Sequence, residues 1–275
     1  MSTALIEYNL DVDAFLSGEI NSRLRYTAPF RREGAIVRIG IANGPVPAPA
    51  WYDIRTGDAY VDLAQLALPS AAMSMIARGG ELKPDGSAYR TIRGVVRHEL
   101  AHSAWTNWLP WSMDDDVRAT LTIFEEGRIE RRVVNYCGDD AIEDLRAAFS
   151  RVLLPAFIKD GAAANPYISA GNYALVAGRV HAGHIKYDEI RDVEIAIRTV
   201  LGDDVVDQRD DILGQAMLCH TDVQSHFDEY VELAREWNAL LKDEFGDIET
   251  VELVTNEAMS SDSEERADGG SPTPV

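Results

Sequence analysis

The amino-acid sequence predicts an α+β fold: a small N-terminal sheet, one helix that carries the chemistry, and a mostly helical C-terminal part. Two observations lead there. Strand-type segments with period-two alternation are confined to residues 35–63. From residue 87 to about 245, every clearly periodic segment has helical spacing. Strands gathered first and helices gathered after argue for α+β rather than an alternating α/β sheet.

Taken in order, residues 11–28 read as a helix, with Val12, Phe15, Leu16, Ile20 and Leu24 on one side and Pro29 ending it. Residues 35–42 (AIVRIGIA) are β-branched and alternating, so they form a strand. Residues 43–49 (NGPVPAP) are a loop. Residues 51–54 and 59–63 flank Arg55-Thr56-Gly57-Asp58 and read as a hairpin. Pro84-Asp85-Gly86 breaks the chain before a helix over about 87–106. Further helices are expected over about 114–136, 139–159, 187–201 and 222–243. No internal repeat is present.

The 275 residues carry a formal net charge of −20. That acidity argues against a broad nucleic-acid surface or an anionic membrane surface. Cys137 and Cys219 are the two cysteines, in no C-x-x-C spacing, which points away from a thiolate metal site and from a disulfide framework. The N-terminal residues lack a basic and apolar leader, and no stretch is long and apolar enough to span a bilayer. The expectation is a cytoplasmic protein, in a bacterium or a phage-infected cell. Residues 246–275 change character. Ser260 to Glu265 and Gly269 to Pro274 carry almost no apolar side chains, so a disordered acidic tail is expected. The functional alternative for the tail is a docking arm for a basic partner.

Chemistry enters at His98-Glu99-Leu100-Ala101-His102, an H-E-x-x-H sequence. Side chains four apart on a helix stand one above the other, so both imidazoles can grip one metal ion. Glu99 then points towards the open side of the metal, placed to take a proton from a zinc-bound water. A catalytic zinc normally has three protein ligands, so a third is needed. Residues 122–132 (TIFEEGRIERR) offer Glu125 and Glu126. At 100° per residue, Glu126 falls inside the stripe of Ala119, Ile123, Ile129, Glu130 and Val133, whereas Glu125 lies at the margin of a narrower stripe with Val117, Leu121 and Phe124. A carboxylate amid a buried stripe is costly unless paired or metal-bound, so Glu126 is favoured as ligand and Glu125 is the alternative. Glu130, one turn on, is placed to accept the free ring N–H of a ligating histidine. The bland reading is that these glutamates pair with Arg128, Arg131 and Arg132 on a solvated face.

This pairing of H-E-x-x-H with a later E-[DE]-x-R-I-E helix resembles metallopeptidases of bacteria and phages that often precede a von Willebrand factor A domain, the cobalt-chelatase-associated type. The matching residues are His98, Glu99, His102, Glu125, Glu126, Arg128, Ile129 and Glu130. The strand–hairpin–helix order also resembles the compact zincin fold. The likeness spans about residues 35–135 and is specific only in those two blocks. A D-x-S-x-S motif, which a von Willebrand partner would need, is absent. The repressor-cleaving and stress-response zincins also carry a helix similar to RHELAH, but their third-ligand helix differs, so that likeness ranks lower.

With the tail set apart by its composition, residues 1–245 are expected to form one zincin-like domain, with sheet and active helix in about 35–136 and a helical subdomain in about 137–245. The resemblance implies a Zn2+ metallopeptidase acting on a protein or peptide substrate, and the acidity adds the expectation of no nucleic-acid or membrane partner. His98, His102 and Glu126 would hold the metal and Glu99 would act as general base. Candidates for stabilising an oxyanion are Tyr136, Tyr173, His181 and His184, with surface histidines as the bland alternative. Trp105, Trp108 and Trp111 are expected to pack the connection rather than to line a site. The alternative function is a zincin-fold binding or assembly protein with a structural or vestigial metal.

Overall fold

The computed structural model describes residues 5–6, 37–42, 48–53, 58–78, 82–83, 86–106, 113–160 and 165–246. The helix expected over 11–28, the tail beyond 246, Trp108 and Trp111 lie outside the described residues.

The fold is α+β. Strands β2 (Val37–Ala42), β3 (Ala50–Asp53) and β4 (Asp58–Asp62) form the sheet, and the two-residue β1 (Leu5–Ile6) adds to its edge in the order β1-β2-β4-β3. β4 sits centrally, parallel to β2 with Val37 opposite Ala59 and Ile39 opposite Val61, and antiparallel to β3 as the hairpin reading requires. The alternation decides which face is buried. Val37, Ile39, Ala59 and Val61 point into the core, while Arg38 turns out to pair with Asp58 at 3.0 Å.

After a 3-10 turn (Leu63–Gln65) and the short α1 (Ser70–Ile76), α2 (Ser87–Trp105) crosses the sheet. The helices that follow are α3 (Asp115–Cys137), α4 (Asp139–Ala148), α5 (Leu154–Asp160), α6 (Pro166–Ala182), α7 (Tyr187–Leu201), α8 (Asp203–Ala216) and α9 (Gln224–Phe245). No helix among the described residues is long and apolar enough to cross a membrane.

The single helix expected over 139–159 is interrupted by a π-helical stretch, Phe149–Leu153, between α4 and α5. Pro155 supplies a reason: it has no N–H to donate, and its ring would clash with the carbonyl one turn back unless the helix widens.

Among the described residues, two apolar clusters make up the core. One joins the sheet to α1, α2 and α4; the other joins α6, α7, α8 and α9. α3 belongs to both. Its Ile129 and Val133 face the first cluster, and its Val117, Leu121 and Phe124 face the second. The middle of α3, residues 124–130, is therefore buried on every side. Any polar group there must find its partner inside the protein.

Candidate metal centre

α2 and α3 bring the sequence-selected residues together. His98, His102 and Glu126 offer three ligand atoms that all lie within 4.8 Å of one another. The two Nε2 atoms face each other at 3.1 Å. Glu126 Oε2 is 3.2 Å from His98 Nε2, and its Oε1 is 3.6 Å from His102 Nε2. The outer ring nitrogens are held from behind. His98 Nδ1 meets Glu130 Oε1 at 2.8 Å, and His102 Nδ1 meets Thr106 Oγ at 2.9 Å, so both Nε2 atoms turn inward.

Glu125 does not join the cluster. It takes both its hydrogen bonds from Arg128, at 2.7 Å each, while Arg128 also donates to the Trp105 carbonyl at 2.7 Å. The bland alternative of a solvated Glu–Arg face thus applies to none of the three glutamates, which are all buried.

Glu99 lies beside the cluster and is 1 % exposed. Among the described residues, neither of its oxygens has a hydrogen-bond partner. Burial pushes its carboxyl up to about 8, against a smaller opposing pull from His98. A buried carboxylate without a donor costs several kcal/mol if ionised, which is an unusual thing for a fold to carry without a use (about 1–3 kcal/mol even for a neutral group).

The charges in the centre divide unequally. Burial alone would lower His98, but Glu126 and Glu130 outweigh it and raise His98 to about 10. For His102, burial together with the neighbouring His98 outweighs Glu126, and the group falls to about 4. Burial opposes ionisation of Glu126 and Glu130, yet His98 holds the first below the usual carboxylate range, and Arg179, His184 and His98 hold the second well below it. A proton on His98 therefore stands where a metal would bind. At pH 7, above His102 and below His98, taking up a divalent ion should release about one proton from His98. Calorimetry in two buffers of different ionisation enthalpy reads the total released, the His98 proton together with any that Glu99 gives up beside the cation. The release should fade as the pH is raised through about 10, where His98 is already neutral.

The other candidates fall elsewhere. Tyr173 and Tyr187 donate to Asp210, at 2.7 and 3.0 Å, and His181 Nε2 lies 3.0 Å from the same carboxylate, so this group ties α6, α7 and α8 together away from the three donors. Tyr136 is exposed and packs its ring against Trp105, over which Arg132 also stacks at 5.0 Å. His184 is no surface histidine: it is fully buried, with Nε2 3.2 Å from Glu130 Oε2. Arg179, which sequence reasoning did not select, is also fully buried and lies against Glu126 and Glu130. Its only signal was its place in the run Arg179-Val180-His181-Ala182-Gly183-His184. Compared with known proteins, the chain matches no family model, no curated protein and no solved structure.

Proposed function

We propose that the protein is a zinc-dependent metallopeptidase with His98, His102 and Glu126 as metal ligands and Glu99 as general base. The observation that carries this reading is the buried, unpartnered carboxylate of Glu99 beside three converging donor atoms. Two imidazoles and one carboxylate are a donor set of catalytic zinc sites, and they leave one coordination position free. When bound, zinc would supply the Lewis acidity that polarises a peptide carbonyl and lowers the pKa of water. His98 and His102 would bind through Nε2, because Glu130 and Thr106 occupy their Nδ1 atoms. Glu99 would take the proton of the attacking water on a carboxylate oxygen and pass it to the leaving amine nitrogen. Burial alone holds Glu99 protonated at neutral pH, and a dication beside it would favour the carboxylate form that acts as base.

One observation favours the second reading, a structural or vestigial metal in a binding or assembly protein. His98 is 2 % and Glu126 3 % exposed, so the centre lies deep. Metal analysis of the purified protein, with hydrolysis of an unstructured protein followed with and without a chelator, separates the two. One zinc per chain with chelator-sensitive hydrolysis is expected. Zinc without hydrolysis would favour the second reading, and absence of any bound metal would end both.

A further inference from the structure

Arg179 poses a problem that the donor set alone does not explain: a permanent cation is built in beside a site meant for a dication. Its side chain is fully buried. Nη1 donates to the Leu175 carbonyl at 2.6 Å, and the guanidinium lies over the Phe149 ring at 5.6 Å, so the group is fixed. From there Nη2 reaches to 3.6 Å from Glu126 Oε2, and Nε to 3.4 Å from Glu130 Oε2.

The approach depends on a glycine contact next to the site. A Cβ on Gly127 would lie 2.9 Å from the carbonyl carbon and oxygen of Gly178, and one on Gly178 would lie 3.6 Å from the Gly127 Cα. α3 and α6 therefore touch backbone to backbone between the residues that carry Glu126 and Arg179. A site evolved only to retain a metal gains nothing from this cation. Like charges in a buried place repel strongly, and a second cation nearby weakens binding of the first.

We infer that Arg179 is a positioning residue that reserves one oxygen of Glu126 and so limits that ligand to a single coordination position. This rests on the metallopeptidase reading of the centre. A carboxylate can bind a divalent ion through one oxygen or both. The guanidinium stands 3.6 Å from Oε2 as an ion pair rather than a hydrogen bond, and its charge would hold that oxygen's density away from the metal, so the ion takes the other. Arg179 makes its shortest approach to Glu126 at Oε2, while Oε1 is the oxygen turned to His102. His98, His102 and one oxygen then fill three positions, and the fourth remains for water and substrate. Glu130, held by the same guanidinium and by His184, keeps the His98 ring in register.

The test is cobalt substitution of the full chain, with absorption in the visible and zinc affinity by chelator competition. Wild type should give the intense visible bands of four-coordinate cobalt. Arg179→Met removes the cation at similar length. Its bands should lose intensity as Glu126 closes onto the metal through both oxygens, and zinc should bind about tenfold or more tightly once the repulsion is gone. Arg179→Lys keeps a cation and should restore the wild-type spectrum. If Arg179→Met does not fold by circular dichroism, Arg179→Gln carries the same expectation with a polar side chain. Unchanged bands and affinity in the folded neutral variant would overturn the inference while leaving the metal reading intact. Equal loss of metal in the neutral and lysine variants would also overturn it, because the guanidinium would then be only structural. A wild type that binds neither cobalt nor zinc would remove the metal reading, and the inference with it.

Discussion

Glu99→Gln is expected to keep its zinc and lose peptide hydrolysis, whereas His102→Ala loses both. Glutamine has nearly the shape of glutamate but cannot accept and return a proton. If Glu99 is the base, the rate falls by the contribution of a positioned acid–base group, about 10²–10⁴-fold. Its oxygens make no hydrogen bond to the described residues, so the substitution breaks none of the contacts seen to orient the ligands. His102 is different. Its Nε2 stands 3.1 Å from that of His98 and 3.6 Å from Glu126 Oε1, so its removal opens one corner of the donor triangle. Zinc content by elemental analysis and turnover of an unstructured substrate, measured on the same preparations, give the answer. Equal loss of zinc in both variants would make Glu99 a ligand or a structural group and would sink its role as base.

What could be read without coordinates follows from how locally each feature is encoded. His98, Glu99 and His102 share one helix, and their relation depends on nothing but its pitch. Glu126 lies on a different helix, α3, yet its place in an apolar stripe singles out the same carboxylate that the structure turns towards the histidines, because a buried acid must have a partner wherever the chain goes. The strand over 37–42 and the hairpin after it were legible from alternation. Helices α6 and α8 were not.

α6 is packed on several sides. Ala170, Tyr173, Val176 and Arg179 are all buried, so no single apolar stripe stands out. Its boundaries did carry a signal. Asn165 caps the first turn by accepting from the Tyr167 amide at 2.8 Å, Pro166 opens the helix, and Gly183 closes it at φ 92°. In α8 a charged residue hides the period. Arg209 sits fully buried between Val206 and Leu213, with its guanidinium over the Trp237 ring at 4.2 Å. Arg179 was missed for the same reason: a buried cation looks like a surface residue until the opposing helix is known, and His184, considered as an oxyanion donor or a surface histidine, shows its place beside Glu130 only in the fold.

Gly94→Ala should be among the most damaging single-methyl additions in this chain. An added Cβ would stand 2.1 Å from the Asp144 carbonyl oxygen and 2.6 Å from its carbon. Backbone cannot rotate away, so α2 and α4 must separate. Asp144 is itself fully buried and takes hydrogen bonds from Arg93 at 2.5 and 2.8 Å, with Arg97 3.2 Å away, so the separation also strains a buried ion cluster. Overpacking costs about 1–3 kcal/mol and occasionally more, and the ion cluster places this site at the upper end. For a chain of this size, about 3 kcal/mol corresponds to a fall in Tm of roughly 6–12 °C. Because α2 carries His98, Glu99 and His102, zinc affinity should fall in the same variant. Gly171→Ala is the control. Its new Cβ meets only Ile123 Cδ1 at 3.4 Å, at the edge of ordinary contact, and alanine in place of helical glycine contributes about 1 kcal/mol of stability. Thermal melts of the two variants should therefore move in opposite directions from wild type. A Gly94→Ala protein that melts with wild type would mean that α2 and α4 do not cross as closely as Gly94 implies, and that the helix bearing the histidines is held by other contacts.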